Sequence, residues 1–159
     1  MTGPQRDLVH LLSLAQHRAV RRLAAALAAE GCSVEQWRVL SFLADAEGRT
    51  MTDLADFALM PAPSATKLID RMVADILVYR HADPADRRRV LIHLTERGEE
   101  LYRRAQEVVQ REQDGLLAAI GDGGGGGELA DQLARLADAL EAGPRQRAAA
   151  AALYEAPGF

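Results

Sequence analysis

Apolar residues recur at helical spacing along most of the chain. Between about Gln5 and Glu30, Leu8, Leu11, Leu12, Ala15, Val20, Leu23 and Leu27 define one face of an amphipathic helix. Gly31 follows as a residue suited to a left-handed helix stop. Ser33 with Gln36 three residues on has the form of a capping box. It opens a second helix with Val34, Trp37, Leu40, Ser41 and Leu43 as its buried stripe, ending near Glu47-Gly48. Thr50 with Asp53 repeats the capping pattern and starts a short helix through Leu59. Pro61 and Pro63 interrupt it. Proline is tolerated in the first turn of a helix but not inside, so a new helix is expected from near Ala62 to about Asp75.

The period then shortens. Leu77-Val78-Tyr79-Arg80-His81 and Val90-Leu91-Ile92-His93-Leu94 are β-prone runs, separated by a charged segment that contains Asp83-Pro84. That combination predicts a hairpin with a loop longer than a two-residue turn. Thr95 caps a long helix to about Ile120, with Leu101, Ala105, Val108, Val109, Leu116 and Leu117 as apolar positions. The stretch 121–127 holds five consecutive glycines and is expected to be a flexible loop. A phosphate-cradling loop is the alternative, but no Lys-Ser/Thr follows and no strand precedes. Leu129, Leu133, Leu136 and Leu140 then give a last amphipathic helix from Glu128 to about Glu141. Gly143-Pro144 stops it, and the tail beyond is expected to be partly helical or frayed.

The chain has 159 residues, enough for one domain with a real core. Aromatic content of 4% against a 48% hydrophobic total favours a mostly helical fold over a β-sandwich, because much of the apolar content is Leu and Ala. The net charge of -4 and pI near 5.6, taken alone, argue against nucleic acid. Distribution changes that picture. Lys67 is the only lysine, and Arg87-Arg88-Arg89 forms one dense basic spot. Arginine brings a planar fork suited to phosphates and guanine edges. The single Cys32 excludes an intramolecular disulfide. Four histidines with no carboxylate pattern around them give no zinc site, and no cofactor is expected. No membrane-length apolar run or secretory leader is read, so a soluble, cytoplasmic protein is expected.

Two short helices with a tight link, followed by a hairpin, is the order in which a winged helix-turn-helix presents its two DNA-reading elements. The segment from Trp37 to Leu101 strongly resembles the MarR family of transcriptional regulators. The most specific pieces are Asp86-x-Arg88 and then Leu94-Thr95-x-x-Gly98. Leu54-Ala55 and Leu68-Ile69-Asp70-Arg71-Met72 fit the family's helix-turn-helix. Ile76 stands where the family usually has glycine, so a left-handed glycine stop is missing at the exit of the recognition helix. Pro61 stands where a Ser or Thr cap is usual, and the glycine run is not a family feature. The expected fold is mainly α with a small β-hairpin wing. A winged helix-turn-helix lobe at about 33–100 is flanked by dimerisation helices at about 5–30 and 101–142, with a tail at 143–159.

The chemistry follows from that frame. The recognition helix offers Ser64, Thr66, Lys67 and Arg71 to phosphates and base edges. Its N-terminus favours a phosphate through its dipole and free amides. A capping role for Ser64 and Thr66 with a merely solvated Arg71 is the plainer reading of the helix alone. In the wing, the resemblance implies that Arg88 enters the minor groove, where a narrow A·T tract attracts a guanidinium. Arg87 and Arg89 are expected to meet phosphates, and Asp86 to support the loop. A homodimer is expected through Leu8, Leu12, Leu116, Leu133, Leu136 and Leu140, reading a pseudo-palindrome in double-stranded DNA. The resemblance also implies a small aromatic or lipophilic effector, with His10, Leu14, His17, Trp37 and Met51 as candidate lining. Trp37 reads first as a core residue, and His10 and His17 read first as surface or interface histidines. Cys32 is expected to be a small structural thiol, with a thiol-redox regulator as the alternative reading. The favoured function is a ligand-released, DNA-binding repressor. The alternative is a winged-helix protein–protein module that does not bind DNA. No nucleophile–base pair or cofactor loop points to an enzyme.

Overall fold

The computed structural model describes residues 7–45, 47–119 and 126–141. Six helices and one hairpin follow in the order α1 (Leu8–Ala28), α2 (Val34–Ala44), α3 (Met51–Phe57), α4 (Ala62–Ala74), β1 (Val78–Ala82), β2 (Val90–Leu94), α5 (Glu96–Ala119) and α6 (Gly126–Glu141). The chain divides into two compact units, one through Gln113 and one from Asp114.

The first unit is a winged helix-turn-helix with helices on either side of it in sequence. Helices α1, α2 and α3 begin where side chains satisfy the free amides of a first turn. Asp7 accepts from the Val9 N–H at α1. Both expected capping boxes form, Ser33 with Gln36 at α2 and Thr50 with Asp53 at α3. The core joins all the elements of the unit through Leu27, Leu40, Leu54, Ile69, Met72, Val78, Ile92, Leu101 and Ala105. Ile69, Met72 and Ile92 have no exposed surface, so α4 and β2 are both anchored to one apolar mass. Burying side chains of that size contributes about 1.5–3 kcal/mol each.

β1 and β2 pair antiparallel from Val78 opposite Leu94 to Ala82 opposite Val90. Opposed residues in such a ladder share a face, so Val78, Arg80, Ile92 and Leu94 lie on one side of the hairpin and Tyr79, His81, Leu91 and His93 on the other. Arg49 adds a one-residue rung: its N–H donates to Ile92 O at 3.1 Å, and the Ile92 N–H donates to Arg49 O at 2.8 Å.

The exit from α4 corrects one expectation. The left-handed stop is present without glycine, because Ile76 itself adopts φ +58°. The Ile76 N–H donates to Val73 O at 3.0 Å and the Leu77 N–H to Met72 O at 2.8 Å. That is the double bond of a Schellman stop. Leu59 does the same after α3, at φ 55°, with its own N–H to Asp56 O and the Met60 N–H to Ala55 O. In both places the satisfied carbonyls outweigh the steric cost of a side chain in the left-handed region.

The start of α6 corrects another. Gly126 and Gly127 belong to the helix rather than to the expected loop. Glycine is tolerated in a first turn whose amides have no intrahelical partner, and Glu128 there complements the helix dipole. Ile120, residues 121–125, Gly143-Pro144 and the tail lie outside the described residues, as do Gln5 and Arg6 of the expected first helix. None of the described side chains of α6 is buried, and Leu133 and Leu140 are exposed.

Candidate nucleic-acid interface

α4 carries the expected recognition residues on its open side. Ser64, Thr66, Lys67 and Arg71 are all exposed, while Ala65, Leu68, Ile69 and Met72 face the core. Lys67 and Arg71 have no ion-pair partner among the described residues. The Thr66 hydroxyl donates to Ala62 O at 3.0 Å, which leaves its lone pairs free to accept. The helix N-terminus is poorer in donors than expected. Pro61 caps it with no side-chain hydrogen bond, Pro63 has no N–H, and the Ser64 and Ala65 amides already donate to Pro61 O. Only the Ala62 N–H of the first turn stays open, so anion binding by helix amides is reduced to one donor.

The wing loop is built by two aspartates. The Asp83 N–H donates to Arg89 O at 2.9 Å and closes the loop above the last strand pair. Asp83 Oδ1 accepts from the Ala85 N–H at 2.8 Å. Asp86 Oδ1 accepts from the Arg88 N–H at 3.1 Å and from Arg88 Nε at 3.3 Å, while Asp86 O accepts from the Arg89 N–H at 2.8 Å. The three arginines are therefore unequal. Arg88 has its side chain 92% exposed although one nitrogen rests on Asp86. Arg89 leans back to Asp83 at 3.7 Å, and Arg87 is exposed and unpaired among the described residues.

A hydrogen-bond chain ties helix exit, wing and α5 together. The Thr95 hydroxyl donates to Ile76 O at 2.6 Å and accepts from the Gly98 N–H at 3.0 Å. The Thr95 N–H donates to Leu77 O at 3.1 Å. Gly98 is there because of space: a Cβ at this position would lie 2.0 Å from Leu77 O. The Leu94-Thr95-x-x-Gly98 motif is thus the hinge block on which the wing stands.

Three contacts were not legible in the sequence. Arg80 Nη2 of β1 donates to Asp70 Oδ1 of α4 at 2.6 Å. The Arg49 guanidinium lies 4.4 Å from the centre of the Phe42 ring, which itself stacks on Phe57 at 4.2 Å. Gly48, at φ +109°, makes room for the His93 ring, which would lie 2.5 Å from a Cβ. Nothing in the sequence around Gly48-Arg49, far from the β-prone runs, marks the last two, and nothing local marks the first.

The expected effector residues are spread over α1, α2 and α3. His10 and His17 are exposed on α1, with Leu14 half-buried between them. Trp37 is half-buried and stacks on Tyr102 at 5.4 Å, and Met51 packs against the core. A cavity of about 400 Å³ in the first unit is lined by residues including Leu43, Tyr79, His93, Leu94, Tyr102 and Arg103. It meets the expected group through the Trp37–Tyr102 stack. Burial and the Asp45 carboxylate push the Tyr102 hydroxyl pKa up. Cys32 is 3% exposed, and burial pushes its thiol up to about 11. Among the described residues no group of three or more His, Cys, Asp or Glu is placed to hold a metal ion. No helix among them is long and apolar enough to cross a membrane.

Comparison with known proteins bears on this geometry. The model of the MarR family matches residues 30–89, which span the helix-turn-helix and most of the wing. A MarR family transcriptional regulator from Silicibacter pomeroyi is 30% identical, with 89% of this chain and all of that one covered, at a TM-score of 0.76. The chain belongs to the MarR family. The homoprotocatechuate degradative operon repressor of Escherichia coli is 38% identical over 76 residues, 48% of this chain. That match spans about half the repressor's length. The transcriptional repressor CouR, solved on a 23-mer DNA duplex, is 25% identical over 82% of this chain and 92% of its own, at a TM-score of 0.74. CouR from Rhodococcus jostii has also been solved with p-coumaroyl-CoA, a chain 23% identical that aligns over 88% of this one and 95% of its own at a TM-score of 0.77.

Proposed function

We propose that this MarR-family chain is a sequence-specific, dimeric DNA-binding regulator, and that it represses transcription until a small aromatic or lipophilic ligand releases it. The observation that carries the reading is the set of exposed cations on two separate elements. Lys67 and Arg71 project from α4, and Arg87 and the 92% exposed Arg88 project from the wing. A helix in the major groove and a wing in the adjacent minor groove need charges in those two places. CouR and the homoprotocatechuate degradative operon repressor are both named as repressors.

The lobe at about 33–100 would read DNA, and the helices at about 5–30 and 101–142 would dimerise. Leu8 is 61% exposed on α1, and Leu133 and Leu140 are 46% and 66% exposed on α6. Leu12, Leu116 and Leu136 are half-buried. A second copy would cover such surface, and two lobes would then read half-sites on the order of 10 bp apart. The acidic total charge is no obstacle, since only the lobe face meets DNA. CouR has been solved with DNA and with p-coumaroyl-CoA, which supports effector release here. Any ligand that favours the unbound lobe spacing weakens DNA binding by the same factor that DNA weakens the ligand. A thiol switch is disfavoured, because the raised pKa keeps Cys32 protonated at neutral pH and burial shields it.

The test is selection of duplexes from a random library by the purified protein, followed by binding at several salt concentrations. An enriched pseudo-palindrome with a steep salt dependence is expected. No enrichment and no salt-sensitive binding would favour the protein-partner reading. An activator would bind as well but raise transcription from a reporter carrying the selected site.

A further inference from the structure

We propose that Arg80 is a positioning residue for DNA binding, which holds the Asp70 carboxylate so that Lys67 and Arg71 stay free to meet DNA. The inference rests on the DNA-binding reading above.

Asp70 is the one acid within α4, and it stands on the exposed side of that helix. It lies three residues after Lys67 and next to Arg71. Left alone, it would either pair along the helix with Lys67, at the i,i+3 spacing that brings side chains together, or turn a negative charge toward phosphate. Neither occurs. Arg80 Nη2 donates to Asp70 Oδ1 at 2.6 Å, while Lys67 and Arg71 keep no ion-pair partner among the described residues.

Arg80 is placed for this by register. It opposes Ile92, which has no exposed surface, so it shares the core-facing side of the hairpin. Arg80 is itself exposed, with 38% of its side chain accessible, but that side of the hairpin brings it against α4, where Asp70 supplies the anion. The contact links β1 to α4, the two elements that would enter neighbouring grooves. It therefore also fixes the distance between recognition helix and wing, alongside the Thr95 bond to Ile76 O.

The test uses a duplex selected by the wild-type full chain, with affinity read by fluorescence anisotropy. Arg80→Gln should bind about tenfold more weakly, because it uncovers Asp70. Asp70→Asn should bind as well as wild type or better. The double variant should return to within about threefold of Asp70→Asn, and Arg80→Lys should stay near wild type. The slope of log affinity against log salt should fall by at most about 0.9 in Arg80→Gln, where the freed Asp70 competes for Lys67, and should be nearly unchanged by Arg80→Gln in the Asp70→Asn background, since Arg80 itself meets no phosphate. Equal losses from Arg80→Gln in both backgrounds, with the slope reduced by about 0.9 in each, would make Arg80 a direct phosphate ligand and overturn the proposal. A tenfold loss from Asp70→Asn alone would mean that Asp70 reads a base, and would overturn it too. So would unaltered binding by Arg80→Gln. If the wild-type chain selects no duplex, the functional reading fails first and this inference goes with it.

Discussion

Replacing Ile76 by glycine and, separately, by alanine tests the account of how α4 ends. Ile76 holds φ +58° and is 64% exposed, so only about a third of the residue is buried. Both substitutions forfeit that small burial, on the order of 0.5–1 kcal/mol. They differ in the backbone term. Any L side chain in the left-handed region costs roughly 1–2 kcal/mol, which alanine keeps and glycine sheds. Glycine in turn gains about 0.4–1 kcal/mol of unfolded-chain entropy, which favours alanine. The balance places Ile76→Gly about 0.5–1 kcal/mol above Ile76→Ala, and so up to about 4 °C higher in melting temperature for a chain of this length. Urea unfolding of both variants at one protein concentration measures the difference directly, the matched concentration removing any shift from self-association. In a helix interior the order is the reverse, with glycine about 1 kcal/mol worse than alanine. If alanine proves equal or better, Ile76 does not hold a left-handed stop and the junction that aims the wing has been misread.

Gly98→Ala should destabilise the fold by about 3 kcal/mol, because its Cβ would meet Leu77 O at 2.0 Å and backbone must move; a melting temperature equal to wild type would show that the α5–β1 approach is looser than described. Thr50→Ala should cost about 1 kcal/mol at neutral pH by removing the α3 cap. The Thr50 hydroxyl and amide hold the Asp53 pKa below 3.8, so the stabilisation is complete above that value and is lost as pH falls through the lower, folded-state pKa. The gap between wild type and Thr50→Ala should therefore narrow in acid, and a gap independent of pH would remove Asp53 from the cap. Cys32, with its thiol at about 11, should react with a disulfide reagent at pH 8 only after denaturation; rapid labelling of the folded protein would reopen the redox reading. Arg88→Ala should weaken specific DNA binding by roughly 1–3 kcal/mol, and Lys67→Ala should lower the salt slope by about one, both read by anisotropy on a selected duplex. Unchanged affinity in the first would detach the wing from DNA.

Sequence and structure agree where the information is local. Ser33 with Gln36 and Thr50 with Asp53 close their boxes over three residues, and a capping box is a contact that four consecutive residues can specify alone. The wing aspartates are of the same kind, each bonding a residue two positions away. Ile76 was misread for the opposite reason. Propensity argues against a β-branched residue at positive φ, but Met72 O and Val73 O still need donors, and Thr95 and Gly98, some twenty residues on, clamp the same turn from outside. A clamp built from distant residues overrides a local preference, and no window of sequence around Ile76 contains it. The Arg80–Asp70 pair makes the point for the interface itself. Read in sequence, Asp70 is an unfavourable charge on a DNA-facing helix and Arg80 a strand residue without a role. Only the register that sets Arg80 opposite Ile92 turns the two into one device, with both faces of the DNA-reading surface held at a common spacing.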